Sequence, residues 1–348
     1  IRDKGLEIDP LNPVLTVNVA WRHYRQGNFD RAEKLMLRLT HLPEPADFIY
    51  SHLWRMYDNQ GRLDEVIYWW KAGIRANTID TTEDDAPIEW SGRFILGGFE
   101  TYAMLGLYPD AAYWLELGLR YIPDEFERFD NRAKLLVIQG DWPELKLQLK
   151  TFEQQIKVAY QDLPVSTASV LGWLNILAGN YSFGIELVEP AVDVESLEGK
   201  HSLNTLVELN YLHSLAFAYE QVGRDDSARD LLLKLQAVIE PMATSGKLVI
   251  AETFATLALN HAMLGNSDEA LRAFEKAVEL GWIDYYRVLN SPVWATTLAS
   301  PDFQRLLNEV KVEVDRQRAI VEAADAEHDF RAEFEQLWDS IPETNENP

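Results

Sequence analysis

The sequence predicts an all-α protein, an α-solenoid of about seven helix pairs with a helical C-terminal cap, and three observations carry that expectation. Seven glycines, Gly27, Gly61, Gly106, Gly140, Gly179, Gly223 and Gly265, each separate two helix-forming runs at intervals of 34, 45, 34, 39, 44 and 42 residues. Small and aromatic residues keep fixed offsets from those glycines. After the last one the pattern changes to a longer amphipathic stretch. The glycine recurs for a physical reason: where a helix stops and the next reverses within about two residues, the chain favours left-handed dihedrals that glycine adopts without a Cβ penalty.

In the first unit Ala20 lies seven residues before Gly27, and Phe29 and Ala32 lie two and five after it, so small residues fall where two helices cross and an aromatic ring fills the seam. The third unit repeats this with Phe99, Tyr102, Tyr108 and Ala111, and Pro123 closes its second helix. The sixth supplies Ala216, Tyr219 and Ala228, and the seventh Ala258, Ala270, Phe274 and Ala277. Three units depart from the pattern, with Trp54 and Val66 around Gly61, Ala133 and Leu145 around Gly140, and Gly172 and Gly184 around Gly179. The period runs through them. These residues resemble the tetratricopeptide repeat family over roughly Ile1 to Leu280, a resemblance that implies a superhelix whose usual task is to hold another molecule.

Two segments are expected on this reading: a repeat array over 1–280 and C-terminal capping helices with an acidic tail over 281–348. The array starts mid-repeat, since Gly5 to Pro13 reads as the tail of a second helix and the loop after it, which suggests an excised fragment of a larger parent. In the closing segment Phe303, Leu306, Leu307, Val310, Val314 and Val321 fall on one helical face, expected to cover the exposed end of the solenoid. Phe330, Phe334, Leu337, Trp338 and Ile341 form a second short amphipathic segment that extends the cap or meets a partner. The Leu289 to Pro292 turn and the stretch from Ser300 to Leu307 resemble the C-terminal end of repeat regions in bacterial signalling proteins, namely ToxR-type winged-helix regulators and class III adenylyl cyclases. That resemblance implies a sensory or interaction module in the bacterial periplasm or cytoplasm.

Composition narrows the function. Of 348 residues 47% are hydrophobic, enough to bury a large core, and none is cysteine, which removes disulfides and thiolate chemistry. A formal charge of −24 argues against nucleic-acid binding through this segment, which needs clustered Lys and Arg. The charge solubilises an elongated surface or selects a basic partner; Thr81 to Glu89 concentrates it in an expected loop. No apolar run is long enough for membrane insertion. The seven histidines form no HExxH pair and read as surface or groove residues, no GxSxG elbow or Gly-rich phosphate loop occurs, and Gly97 and Gly98 read as close-packing positions in a helix. We therefore expect no enzyme, no metal and no cofactor.

Binding has clearer candidates. In a stacked array the first helix of each pair lines the concave groove, and its inward positions hold Trp21, Tyr24 and Arg25; Arg55, Asp58 and Asn59; Arg93 and Glu100; Lys134; Trp173; and Asn210, His213, Phe217, Glu220 and Gln221. Aromatics beside arginines are typical interface anchors. The expected partner is a protein or peptide held in that groove, with a homo-oligomer left open. The alternative is a sensory domain that binds a small molecule or peptide and regulates a linked regulator or cyclase. Sugar platforms at Trp69, Trp70 and Trp114 rank last, because these fall at helix-packing spacing in second helices.

Overall fold

The computed structural model describes residues 12–42, 48–79, 93–155, 163–192, 194–197, 199–200, 202–246 and 248–339. Among them the fold is all-α, and seven antiparallel pairs follow one another: α1 (Pro13–Arg25) with α2 (Phe29–Leu39), α3 (Phe48–Asp58) with α4 (Leu63–Ile79), α5 (Phe99–Met104) with α6 (Tyr108–Leu119), α7 (Glu125–Gln139) with α8 (Trp142–Gln155), α9 (Val165–Leu177) with α10 (Tyr181–Val188), α11 (Leu203–Gln221) with α12 (Asp225–Thr244), and α13 (Ala251–Met263) with α14 (Ser267–Glu279). A short α15 (Tyr285–Asn290), a long α16 (Pro301–Glu327) and α17 (Phe330–Asp339) complete the chain. Thr81 to Glu89, most of Gly5 to Pro13, and Ile341 lie outside the described residues.

All seven punctuating glycines are left-handed, with φ between 66° and 85°. Each ends its helix in the same way: the N–H one residue beyond the glycine returns to the carbonyl four residues before it, as from Asn28 to His23 at 2.9 Å and from Asn266 to His261 at 2.8 Å. The small residues at the crossings, Ala20, Ala32, Ala111, Ala216, Ala258 and Ala270, have no exposed surface. The departures from the pattern also have physical reasons. A Cβ on Gly184 would stand 2.8 Å from the Gly172 carbonyl, so the fifth pair makes its closest approach through two glycines. In the second unit Trp54 takes the small residue's place and stacks on Phe94 at 5.5 Å, lying over Gly97. Gly97 and Gly98 do permit close packing, of Trp54 and Trp70, but they form a turn that shortens α5 instead of lying inside a helix.

The cap differs from expectation. α16 starts on the last repeat, with Phe303 packed on Phe274 at 5.3 Å, but it then leaves that end and runs to the second and third units. The reason is curvature: the array bends until the segments flanking its seventh pair, at Val249 and residues 281–290, meet the first four units, which brings α16 from the last repeat to the second and third. The Val249 N–H donates to the Arg25 carbonyl at 3.2 Å, and Asn290 Nδ2 donates to the Ile138 carbonyl at 2.7 Å. Between these, a Cβ on Gly61 would enter the Gly281 carbonyl, and one on Gly106 would crowd the Tyr286 ring. The superhelix is closed on itself by its own residues 281–290.

α17 packs on the second helices of the second and third units. Phe330 and Phe334 lie against Trp114 at 5.6 and 5.4 Å, and Phe330 meets Trp70 at 5.8 Å. Trp70 and Trp114 are fully buried, which suits packing and not an open sugar platform. Fully burying such rings contributes on the order of 2–3 kcal/mol each.

Candidate functional site

The first helices of successive pairs face inward, as a stacked array requires, and three adjoining cavities of about 400, 340 and 100 Å³ open between them and α15. The first is walled by α3, α5 and α7, the second by α3, α5, α11, α13 and residues 281–287, and the third by α9, α11, α13 and residues 282–294. Together they form one hollow within the size range of small-ligand sites.

Eight of the expected groove residues meet in it: Arg55, Asp58, Asn59, Arg93, Glu100, Lys134, Trp173 and Asn210. The others do not. Tyr24 is buried, and Trp21 is half-buried and donates from Nε1 to His52 Nδ1 at 2.9 Å, so both belong to the contact between the first two units. Arg25 is exposed, but it lies at the seam with Val249. His213 has no exposed surface; it bonds the Leu209 carbonyl at 2.8 Å and Asn260 at 3.1 Å, and burial pulls its imidazole down to about 4. His261 is buried as well, so these two histidines are neither surface nor groove residues. Phe217 packs on Tyr181 at 5.9 Å, and Glu220 and Gln221 are exposed at the far end of α11.

The charges of the hollow do not balance. Its walls carry six carboxylates, Asp58, Glu100, Glu127, Asp130, Glu252 and Asp284, against four cations, Arg55, Arg93, Lys134 and Arg287. Arg93 and Glu127 form a two-bond pair at 3.0 and 2.9 Å, and Lys134 pairs with Asp130 at 2.9 Å. Arg287 stands between Asp284 at 3.3 Å and Glu100 at 3.7 Å. Asp58 forms no ion pair with a described residue, and burial, followed by repulsion from Glu100, pushes its carboxyl up to about 7. Burial likewise raises Asp130, Glu252 and Asp284, with the nearby polar groups of Asn210 and Trp282 acting in the opposite direction on Glu252. One oxygen each of Asp130 and Asp284 is buried without a hydrogen-bond partner. These carboxylates still reach solvent, Asp284 at 19% of its side-chain surface and Asp58 as an exposed residue, so the hollow is open to water.

Sequence reasoning missed five of these groups, among them Glu127, two turns before Lys134 on α7. Glu252 occupies the inward face of the seventh unit's first helix, so the same counting that reached Asn210 would have found it. Asp130 lies one turn before Lys134. Asp284 and Arg287 gave no such signal, because their segment reads as a connection and only the closure carries it inside.

Among the described residues no helix is long and apolar enough to cross a membrane, and no group of three or more His, Asp or Glu could hold a metal ion. No curated protein matches the chain. The sequence profile of the tetratricopeptide repeat matches residues 251–276, which span α13 and most of α14. The unit so matched has the same left-handed glycine turn as the other six, so the chain is similar to tetratricopeptide repeat proteins, a family of protein-interaction scaffolds, in both its sequence and its all-α paired-helix architecture.

Proposed function

We propose that this chain is a non-catalytic interaction module that takes a basic side chain of a protein or peptide partner into its central hollow. The observation that carries the reading is Asp58, a carboxylate without an ion-pair partner among the described residues, inside a hollow where acids outnumber bases. Asp58 presents its carboxylate to the hollow beside the like charges of Glu100 and Asp284, and a guanidinium or ammonium group supplies the cation that offsets their repulsion. The closure favours a compact occupant over a long extended peptide, because residues 281–290 already fill the middle of the concave surface.

The test is calorimetric titration with a tri-arginine peptide amide and a tri-glutamate control. Binding by tri-arginine alone, weakened at least tenfold in Asp58→Asn and by added salt, is the expected result. Equal affinity for both peptides, or no loss in the variant, overturns it.

A second reading is a sensory domain that admits a small cation and regulates a linked transcription regulator or cyclase. The size of the hollow favours it, and the Leu289 to Pro292 turn, on which the resemblance to such proteins rests, helps form the closure through Asn290. Binding of arginine methyl ester as tightly as the tripeptide would select this reading.

A further inference from the structure

The hollow and the C-terminal helices grip opposite sides of the same turns. Asp58 ends α3, and its carbonyl accepts from the Gly61 N–H at 2.9 Å. From outside, Gln317 of α16 clamps that turn: its Nε2 donates to the Gly61 carbonyl at 2.8 Å and its Oε1 accepts from the Leu63 N–H at 2.6 Å. Gln317 is 1% exposed, a buried amide spent on capping two helix ends more than 250 residues away in the chain. Its neighbour Arg318 donates to the Leu105 carbonyl at 2.8 Å, beside the Gly106 turn of the third unit, and to Tyr286 Oη at 3.0 Å. Tyr286 adjoins Arg287, the cation that stands in the hollow between Asp284 and Glu100. Farther along, Asp325 pairs with Lys71 and accepts from Tyr102 at 3.1 Å, and α17 follows onto Trp70 and Trp114.

The geometry points to α16 and α17 as an output lever whose seating is linked to occupancy of the hollow, and this rests on the hollow being the binding site. The direction follows from charge. Without a bound cation, repulsion of Asp58 by Glu100 and Asp284, offset only in part by Arg287, presses the second and third units away from α15. A bound cation relieves that repulsion, draws the Gly61 and Gly106 turns inward and tightens the grip of Gln317 and Arg318. Linkage makes the effect reciprocal, so a loosened lever binds the cation less tightly by the same factor.

Hydrogen exchange of residues 303–337 in the full chain tests this, with tri-arginine amide as the probe and with the near-isosteric variant Asp58→Asn with Glu100→Gln, in which repulsion is relieved without any ligand. The expected result is amide exchange in α16 and α17 slowed about tenfold by the peptide and slowed likewise in the unliganded variant, with peptide affinity reduced in Phe334→Ala. Peptide binding that Asp58→Asn abolishes but that leaves lever exchange unchanged overturns the linkage and spares the site. If the peptide does not bind, the proposed function fails, and the charge variant alone decides the linkage: slowed lever exchange upholds it and unchanged exchange ends it.

Discussion

The hollow and the outer seat of α17 use the same side-chain chemistry to opposite ends. On the outside Glu333 meets Arg75 through two bonds at 2.6 and 2.7 Å and His328 at 2.6 Å, which holds its carboxyl down at about 2. Inside, Asp58 sits among other carboxylates and its carboxyl is held up at about 7. The outer seat pairs Arg75 with Glu333, Arg331 with Asp110 and Lys71 with Asp325, beside two phenylalanines in an aromatic nest. The inner one has carboxylates to spare. A protein that pairs the acids of its outer seat and, among the described residues, leaves Asp58 and Glu252 without an ion pair in the hollow distinguishes a surface that holds itself together from one suited to receiving something else.

The largest expected effect erases the comparison. Gly61→Ala forces a side chain into left-handed backbone, which costs about 1–2 kcal/mol, and drives its Cβ into the Gly281 carbonyl, which adds overpacking of similar or greater size. Chemical denaturation should show a loss of roughly 4 kcal/mol; Gly223→Ala, where nothing lies within 4 Å, should lose only the dihedral share. Phe334→Ala removes a nearly fully buried ring from the outer seat and should cost about 3 kcal/mol, with protease cutting near His328 before the repeats unfold.

Two smaller effects sharpen the contrast through pH. The Asp58 carboxyl lies above its unfolded value, so as pH rises from about 4 to about 7 the unfolded chain gives up the proton first and stability falls, with the full loss present above 7. Asp58→Asn should therefore stabilise the protein at pH 8 by about 1 kcal/mol, discounted for the water that reaches the side chain, and by less at pH 5. Glu333 runs the other way. Its contribution is whole above the unfolded value of 4.5 and is lost as pH falls toward 2, so Glu333→Gln should cost about 1 kcal/mol at pH 7 and nothing at pH 2. Thermal melts of both variants across pH 3 to 8 check the opposite slopes; parallel curves would refute the contrast.

The paired-helix array was legible because its signals are local. A left-handed glycine, a buried alanine seven residues before it and an aromatic two after it are requirements within one unit, and each is met at Ala20, Gly27 and Phe29. Gly172 and Gly184 looked like failures of the pattern and are instead a close helix–helix contact made through two glycines. The hollow was half legible: counting along first helices located Arg55, Asp58, Glu100, Lys134 and Asn210, yet the same counting could not separate His213, which turns into the core. Arg287, Asp284 and the route of α16 depend on the summed curvature of seven units. No window of sequence records that sum, so a segment that reads as an end cap closes the array and supplies a wall of the site.

That closure changes how the protein can unfold and how it can evolve. An open solenoid behaves as a chain of neighbours, each unit stabilised by the next, and it tolerates fraying or the gain and loss of units at its ends. Here Gln317 caps the turn at Gly61 and Asn290 holds the carbonyl of Ile138, so the first half of the chain waits for the last to be made before it is complete. Such distant pairings slow folding and bind the seven units into one cooperative transition. A ring admits no eighth member: insertion of a repeat would carry Gly281 past Gly61 and break every contact that closes it.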